Sequence, residues 1–389
     1  MAISTTASAP AARLVALDAF RGLTMAAMVI VNNPGDWSNV YAPLLHAPWH
    51  GWTPTDLIFP FFLFIVGVSV TLSRSTLGSP WRIVRRALVI FGLGLFLAGF
   101  PYFNLKTIRI PGVLQRIAVC YLVTAFIYRL ALPSAGRVPL SSPDAVALAR
   151  KHATRLLAAA VALTVGYWLV IELVPPPGGV AGDLTPDGNL GAHIDRAVFG
   201  GHLWRSSKTW DPEGLLSTIP AVGSTLLGGV AGLWLGVKQP ASRKAAWLAL
   251  GGIGCVAVGL AWSAWFPINK SLWTSSYTWF TAGAAALLLA ACIWAIDARG
   301  WRAWSWPFVI LGLNAITLFV LSGLLAKTMG LVMVNWGGRK VSFRTWVYSS
   351  FFQPAASPKN ASLLFAAANL AFLFAVLYLM HRKKLYLRA

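Results

Sequence analysis

The chain has 389 residues, of which 57% are hydrophobic and 11% charged, and its mean hydropathy is +0.66. A soluble domain carries about 25% charged residues, so a single water-facing globule is excluded. The net charge of +21 would point to nucleic acid in a soluble protein. In a membrane protein, basic loops set topology instead, and nucleic acid is set aside on that ground.

The apolar residues come in continuous blocks near the length that crosses a bilayer, without the alternation of a β-barrel. They predict an all-α polytopic membrane protein, a single domain over 1–389 with about ten (ten to eleven) transmembrane helices in one bundle. The spans fall at 13–32, 57–73, 83–100, 112–132, 154–174, 215–237, 245–266, 277–296, 307–325 and 361–380. The segment 326–360 is ambiguous between an extension of the ninth span and an interfacial piece. Span 1 is too long, and too polar with Asp18 and Arg21 inside it, for a removable signal peptide.

Lys and Arg orient the bundle. The first loop, 33–56, has none, whereas 74–86 holds Arg74, Arg82, Arg85 and Arg86. Arg13, Arg137 and Arg388 fall on the same side as that second loop. Both termini are therefore expected in the cytoplasm, and loop 33–56 outside. The acid-rich segment 175–214 opens on three prolines and two glycines and is expected to be a long, ordered extracytoplasmic loop. Its Trp204, Trp210 and His193 are open to two uses, sugar contact or interfacial anchoring. Cys120, Cys255 and Cys292 lie inside apolar blocks and give no disulfide or metal spacing.

Polar residues inside spans carry the functional signal. Asp18 and Arg21 are three apart on one helix face and are expected to pair, as a structural ion pair or as a basic group facing an anionic ligand. Thr53-Pro54-Thr55-Asp56 reads as a capping box at the start of span 2. Gln115 and Arg116 stand one turn inside span 4, and Asp56 is the expected partner of Arg116. Asn314 in span 9 is a candidate pore-lining residue. His46 and His50 are four apart, but Pro43 and Pro48 break the segment, which argues against a metal site. Trp49 and Trp52 imply a packed loop, and His46 is the candidate base.

Four runs, LDAFRGLTMAAMVIVNN, HAPWHGWTPTDLIFPFFLFIVGVSV, RIPGVLQRIAVCYL and DPEGLLSTIPAV, resemble the catalytic region of the heparan-alpha-glucosaminide N-acetyltransferase family, and more closely its bacterial NagX-like branch. The resemblance implies acetyl-CoA as donor on the cytoplasmic face, an amino sugar as acceptor on the other, His46 as the catalytic histidine and Asn32 acting beside it. His50 departs from the family pattern. His46 would take the amine proton or carry the acetyl group, and Asn32 would donate to the developing oxyanion. Trp49, His50, Asp56, Gln115, Arg116 and Asn314 would line the substrate pocket. Asp18, Arg21, Arg82, Arg85 and Arg86 would form the cofactor site, with the phosphates of CoA near the four arginines. Membrane lipids and a second copy of the chain, as a homodimer, are the expected partners. Two competing expectations are an amino-sugar permease and an O-acyltransferase acting on periplasmic glycan or lipid. The missing two-half repeat and the position of His46 at the outer mouth speak against the permease.

Overall fold

The computed structural model describes residues 14–73, 79–131 and 145–387. Arg13, Arg74, Arg137 and Arg388 lie outside the described residues. A helix stands at each predicted span: α1 (Val15–Asn32), α2 (Ile58–Leu72), α3 (Pro80–Gly99), α4 (Val113–Ala131) and α5 (Ala145–Leu173). Next come the short α6 (Leu190–Phe199), α7 (Thr218–Gly236), α8 (Ala241–Trp262) and α9 (Ser275–Cys292), which continues as a π-turn over Ile293–Ala298. The chain closes with α10 (Trp306–Leu313), α11 (Ala315–Leu331), α12 (Phe343–Val347) and α13 (Pro358–Arg382).

Among the described residues, eight helices are long and apolar enough to cross a membrane, and α10 with α11 form a ninth span broken by 74°. The remaining predicted span, α3, is 20 residues long but opens with three arginines, Arg82, Arg85 and Arg86. The chain is a multi-pass, all-α membrane protein. The ambiguous segment 326–360 resolves into the end of α11, a hairpin of β1 (Met333–Trp336) and β2 (Arg339–Ser342), and α12. Gly337 and Gly338, both at positive φ, make the two-residue hairpin turn.

Lipid gives helices no hydrophobic reason to associate, so close backbone contact must do so. Gly22 on α1 lies on the Phe308 carbonyl of α10, and Gly312 of α10 lies on the Asp18 carbonyl, with no room for a Cβ at either. Gly67 of α2 and Gly228 of α7 meet the facing helix in the same way. The helices α2, α7 and α9 form the buried centre, while α5, α8 and α13 are largely exposed along their lengths. Two assemblies follow. At one end, loop 33–53, segment 174–217 and loop 265–274 meet. At the other, the start of α1, the end of α2, the start of α3 and the C-terminal tail surround a cavity.

Candidate active site

The site is built on the capping box that opens the turn Pro54–Leu57 ahead of α2. Asp56, 1% exposed at its side chain, accepts the Thr53 N–H (3.0 Å) and the Ala47 N–H (3.0 Å) on Oδ2. Thr53 donates its hydroxyl to the Leu45 carbonyl at 2.6 Å, folding the loop back over the cap. The second carboxylate oxygen, Oδ1, lies 2.6 Å from Nδ1 of His46. An ionised carboxylate can only accept, so the Nδ1 proton faces Asp56 and the Nε2 lone pair faces outward. The His46 side chain is 52% exposed. A residue that ends a helix thus also sets the tautomer of the histidine, an orienting pair within acid–base reach.

Lys270 completes the cluster. Its Nζ lies 3.0 Å from Nδ1 and 3.1 Å from Nε2 of His46, and 3.7 Å from Oδ1 of Asp56. Asn269, fully buried beside it, accepts the Leu272 N–H and stands 3.4 Å from His50 Nδ1. The Gly51 N–H donates to the Ile268 carbonyl, tying the two loops together. Trp273 holds a left-handed φ of 50°, a strained conformation for an aromatic residue. Its indole bond to Ser224 and its packing on Phe59 and Tyr277 keep it there. Tyr277 in turn donates to the Asp56 carbonyl at 2.6 Å. Burial draws the Lys270 ammonium below the usual lysine range, against the pull of Asp56 and Glu213.

Beside this cluster runs a buried ion network from segment 174–217. Arg109 makes a forked contact with Asp211 and also bonds Glu213. Burial raises the Glu213 carboxyl, but Arg109, Arg116 and Lys270 outweigh it and hold the group below its ordinary range. Asp195, buried and accepting the Leu215 N–H, is pushed up to about 6 by burial. Trp49 docks this segment on the histidine loop, donating to the Leu184 carbonyl at 2.8 Å and meeting Trp210 edge-on at 5.1 Å.

At the opposite end lies a cavity of about 690 Å³. Arg21 and Arg86 supply its cations, and Asp18, Ser69, Ser73, Tyr121 and Tyr386 its other polar walls. Arg21 bonds Asp18 and Ser69, each at 3.1 Å, so the expected i, i+3 pair is present. Nε of Arg86 is buried with no hydrogen-bond partner among the described residues. The cavity runs along α2 from Ser73 to Phe62, about 16 Å of helix rise.

Residues 13–140 match the family model described as heparan-alpha-glucosaminide N-acetyltransferase, catalytic. The chain is 30% identical to the Mus musculus heparan-alpha-glucosaminide N-acetyltransferase, covering 79% of this chain and 53% of that protein. It is 29% identical to the Homo sapiens protein of the same name, covering 79% and 52%. Over the matched residues the chain is similar to this family. It spans about half the length of the curated relatives it matches.

Against the family expectation, the site residues separate into three groups. His46, Asp56, Trp49 and His50 gather at the loop end; Asp18, Arg21 and Arg86 line the cavity. Arg82 and Arg85 do not: both are exposed on the first turns of α3. Asn32 is exposed at the end of α1 and makes no hydrogen bond to His46. Three expectations are corrected. Arg116 does not pair with Asp56; it donates to the Gly214 carbonyl and Ser217 hydroxyl and lies over the Trp273 ring, while Asp56 is occupied by His46. Gln115, expected in the substrate pocket, is buried against Gly94 of α3 and Gly112. Asn314 sits at the break between α10 and α11, bonding the backbone of Leu385 and Leu387, and so fastens the C-terminal tail instead of lining a pore. Sequence reasoning missed Lys270, although a lone lysine in a short loop on the face poor in basic residues was a usable signal.

Proposed function

We propose that this chain is a membrane acetyltransferase that moves an acetyl group from acetyl-CoA to the amine of a glucosamine-type amino sugar. The observation that supports it best is the His46–Asp56 dyad, oriented and half-exposed at one end of a bundle whose other end is hollow and cationic. Acetyl-CoA enters from the cytoplasmic side, and the sugar meets His46 on the outer face of a bacterial inner membrane. The split of basic residues between early loops supports this orientation, as does the gathering of three predicted outer loops at one end. The buried, unpartnered Nε of Arg86 and the Arg21 guanidinium fit the phosphates of CoA.

His46 does the proton work. With Nδ1–H held by Asp56, Nε2 takes the proton of the attacking amine, or itself attacks the thioester and carries the acetyl group. Asn32, exposed where α1 enters the loop, is open to the bound sugar. The test is acetyl-CoA-dependent acetylation of glucosamine by purified protein in proteoliposomes. His46→Ala should abolish it, and full activity in that variant would overturn the reading. Sugar uptake without acetyl-CoA would identify a permease instead.

A further inference from the structure

We propose that Lys270 is a catalytic residue, its ammonium stabilising the oxyanion formed when the acetyl carbonyl is attacked beside Nε2 of His46. The inference rests on the acetyl-transfer reading above. Both ring nitrogens lie within 3.1 Å of Nζ. Their lone pairs lie in the ring plane, and an in-plane position so near both would overlap the Cε1–H between them. Nζ therefore sits over the ring face. From there it blocks neither the Nδ1 bond to Asp56 nor the lone pair of Nε2. A positive charge thus stands ready beside the atom where the reaction occurs, without occupying its line of attack.

The charge is also available. Its nearest contact with the Asp56 carboxylate is 3.7 Å, longer than a hydrogen bond. Both Asp56 oxygens already accept from His46, Ala47 and Thr53. The two arginines of the neighbouring ion network are committed elsewhere: Arg109 to Asp211 and Glu213, Arg116 to Gly214 and Ser217. Lys270 keeps 20% of its side chain exposed, so a bound carbonyl can reach it. Asn32, the residue first expected to donate here, has no bond to the dyad.

The step balances without a further reactant. The amine nitrogen bonds to the carbonyl carbon, the carbonyl π pair moves to oxygen beside Nζ, and the amine proton passes to Nε2. Collapse reforms the carbonyl, breaks the carbon–sulfur bond, and Nε2 returns its proton to the departing thiolate. Amine and thioester become amide and thiol. If Nε2 carries the acetyl group instead, an oxyanion forms at the same carbonyl in each half-reaction, so Lys270 serves either route.

The experiment compares wild type, His46→Ala, Lys270→Met and Lys270→Arg as full-length protein in proteoliposomes, with acetyl-CoA and glucosamine. Losing a preorganised oxyanion partner should lower kcat by about 10²–10³-fold, with KM for acetyl-CoA changed less than about threefold. Arginine keeps the charge and should recover at least about a tenth of wild-type kcat. A Lys270→Met variant with wild-type kcat overturns the inference. So does a Lys270→Arg variant that melts like wild type but has lost its kcat, since that would mean shape and not charge. The arginine variant decides the matter even where methionine prevents folding. Active wild type, dead His46→Ala and active Lys270→Met would sink the Lys270 role alone. A wild type that never consumes acetyl-CoA sinks the underlying reading and the Lys270 role with it.

Discussion

Asp56→Asn isolates the orienting carboxylate with almost no change of shape. In the native site, Oδ2 holds the cap through Ala47 and Thr53 while Oδ1 takes Nδ1 of His46 at 2.6 Å. An amide has one acceptor and one donor group. The two backbone N–H groups require the oxygen, so the NH2 group turns to His46. It then donates to Nδ1 and drives the ring proton to Nε2, the atom that must accept. Activity should fall by about 10³–10⁴-fold, the scale of a wrong-tautomer substitution in histidine-based acyl transfer. Stability should fall by about 1.5–3 kcal/mol, the worth of one charge-assisted bond, here the His46 bond to the carboxylate, while the cap survives. The assay is single-turnover acetyl transfer in proteoliposomes, with thermal melting in parallel. In a His46→Ala background the same change should cost almost no further activity, since the two residues act as one unit. An Asp56→Asn protein with more than about a tenth of wild-type activity would refute the argument, because its geometry leaves no other route to an unprotonated Nε2.

Two further outcomes test other parts of the molecule. Arg86→Met removes the cavity-lining guanidinium whose buried Nε lacks a partner; KM for acetyl-CoA should rise about 10–100-fold, the worth of one charged phosphate contact, with kcat nearly unchanged, and an unchanged KM would remove Arg86 from the donor site. Asp195 titrates near 6 in the fold, against 3.8. The folded state therefore holds its proton more tightly, and the buried charge costs stability as pH rises from about 4 to above 6. Asp195→Asn should stabilise the protein by up to about 3 kcal/mol at pH 8 and by little at pH 4, read from melting temperatures at the two pH values; equal shifts at both would exclude this titration.

What the sequence revealed, and what it hid, follow from the range of each interaction. Helix positions were legible because the bilayer imposes one length and one polarity on every span. The Asp18–Arg21 pair and the Thr53–Asp56 box were legible because their partners are three residues apart, a spacing that helix geometry fixes. Asp56 was only half legible. Its capping role is local, but its second oxygen was free to choose among distant groups. Arg116 looked the natural partner because a guanidinium at membrane depth needs compensation. A carbonyl and a hydroxyl at the start of α7 supply part of it instead. Lys270 reaches His46 across 224 positions, through a loop fixed by Asn269 and a strained Trp273, and no periodicity reports such a contact. Asn314 was polar in an apolar stretch, which signals a pore or a broken helix equally; the 74° bend decides for the break.

The cavity runs along α2 and the dyad sits at the start of that helix, and the composition of the walls explains how a charged donor would be sorted along it. Arg21, Arg86, Asp18 and Ser73 belong to one end of the cavity; Phe62, Val66, Val113 and Leu114 close the other. Moving a phosphate into such apolar surroundings carries a large desolvation cost, whereas a neutral thioester arm carries little. On the proposed reading, the phosphates stop at the arginines and only the uncharged arm advances along α2. The apolar end reaches Phe62, six residues beyond Asp56, which leaves about 10 Å of rise to the carboxylate that holds His46. The dyad therefore needs no charged ligand to pass through the bundle, only a slender neutral one. That division of polarity, rather than any single residue, is what would let one fold take a donor from one face and an acceptor from the other.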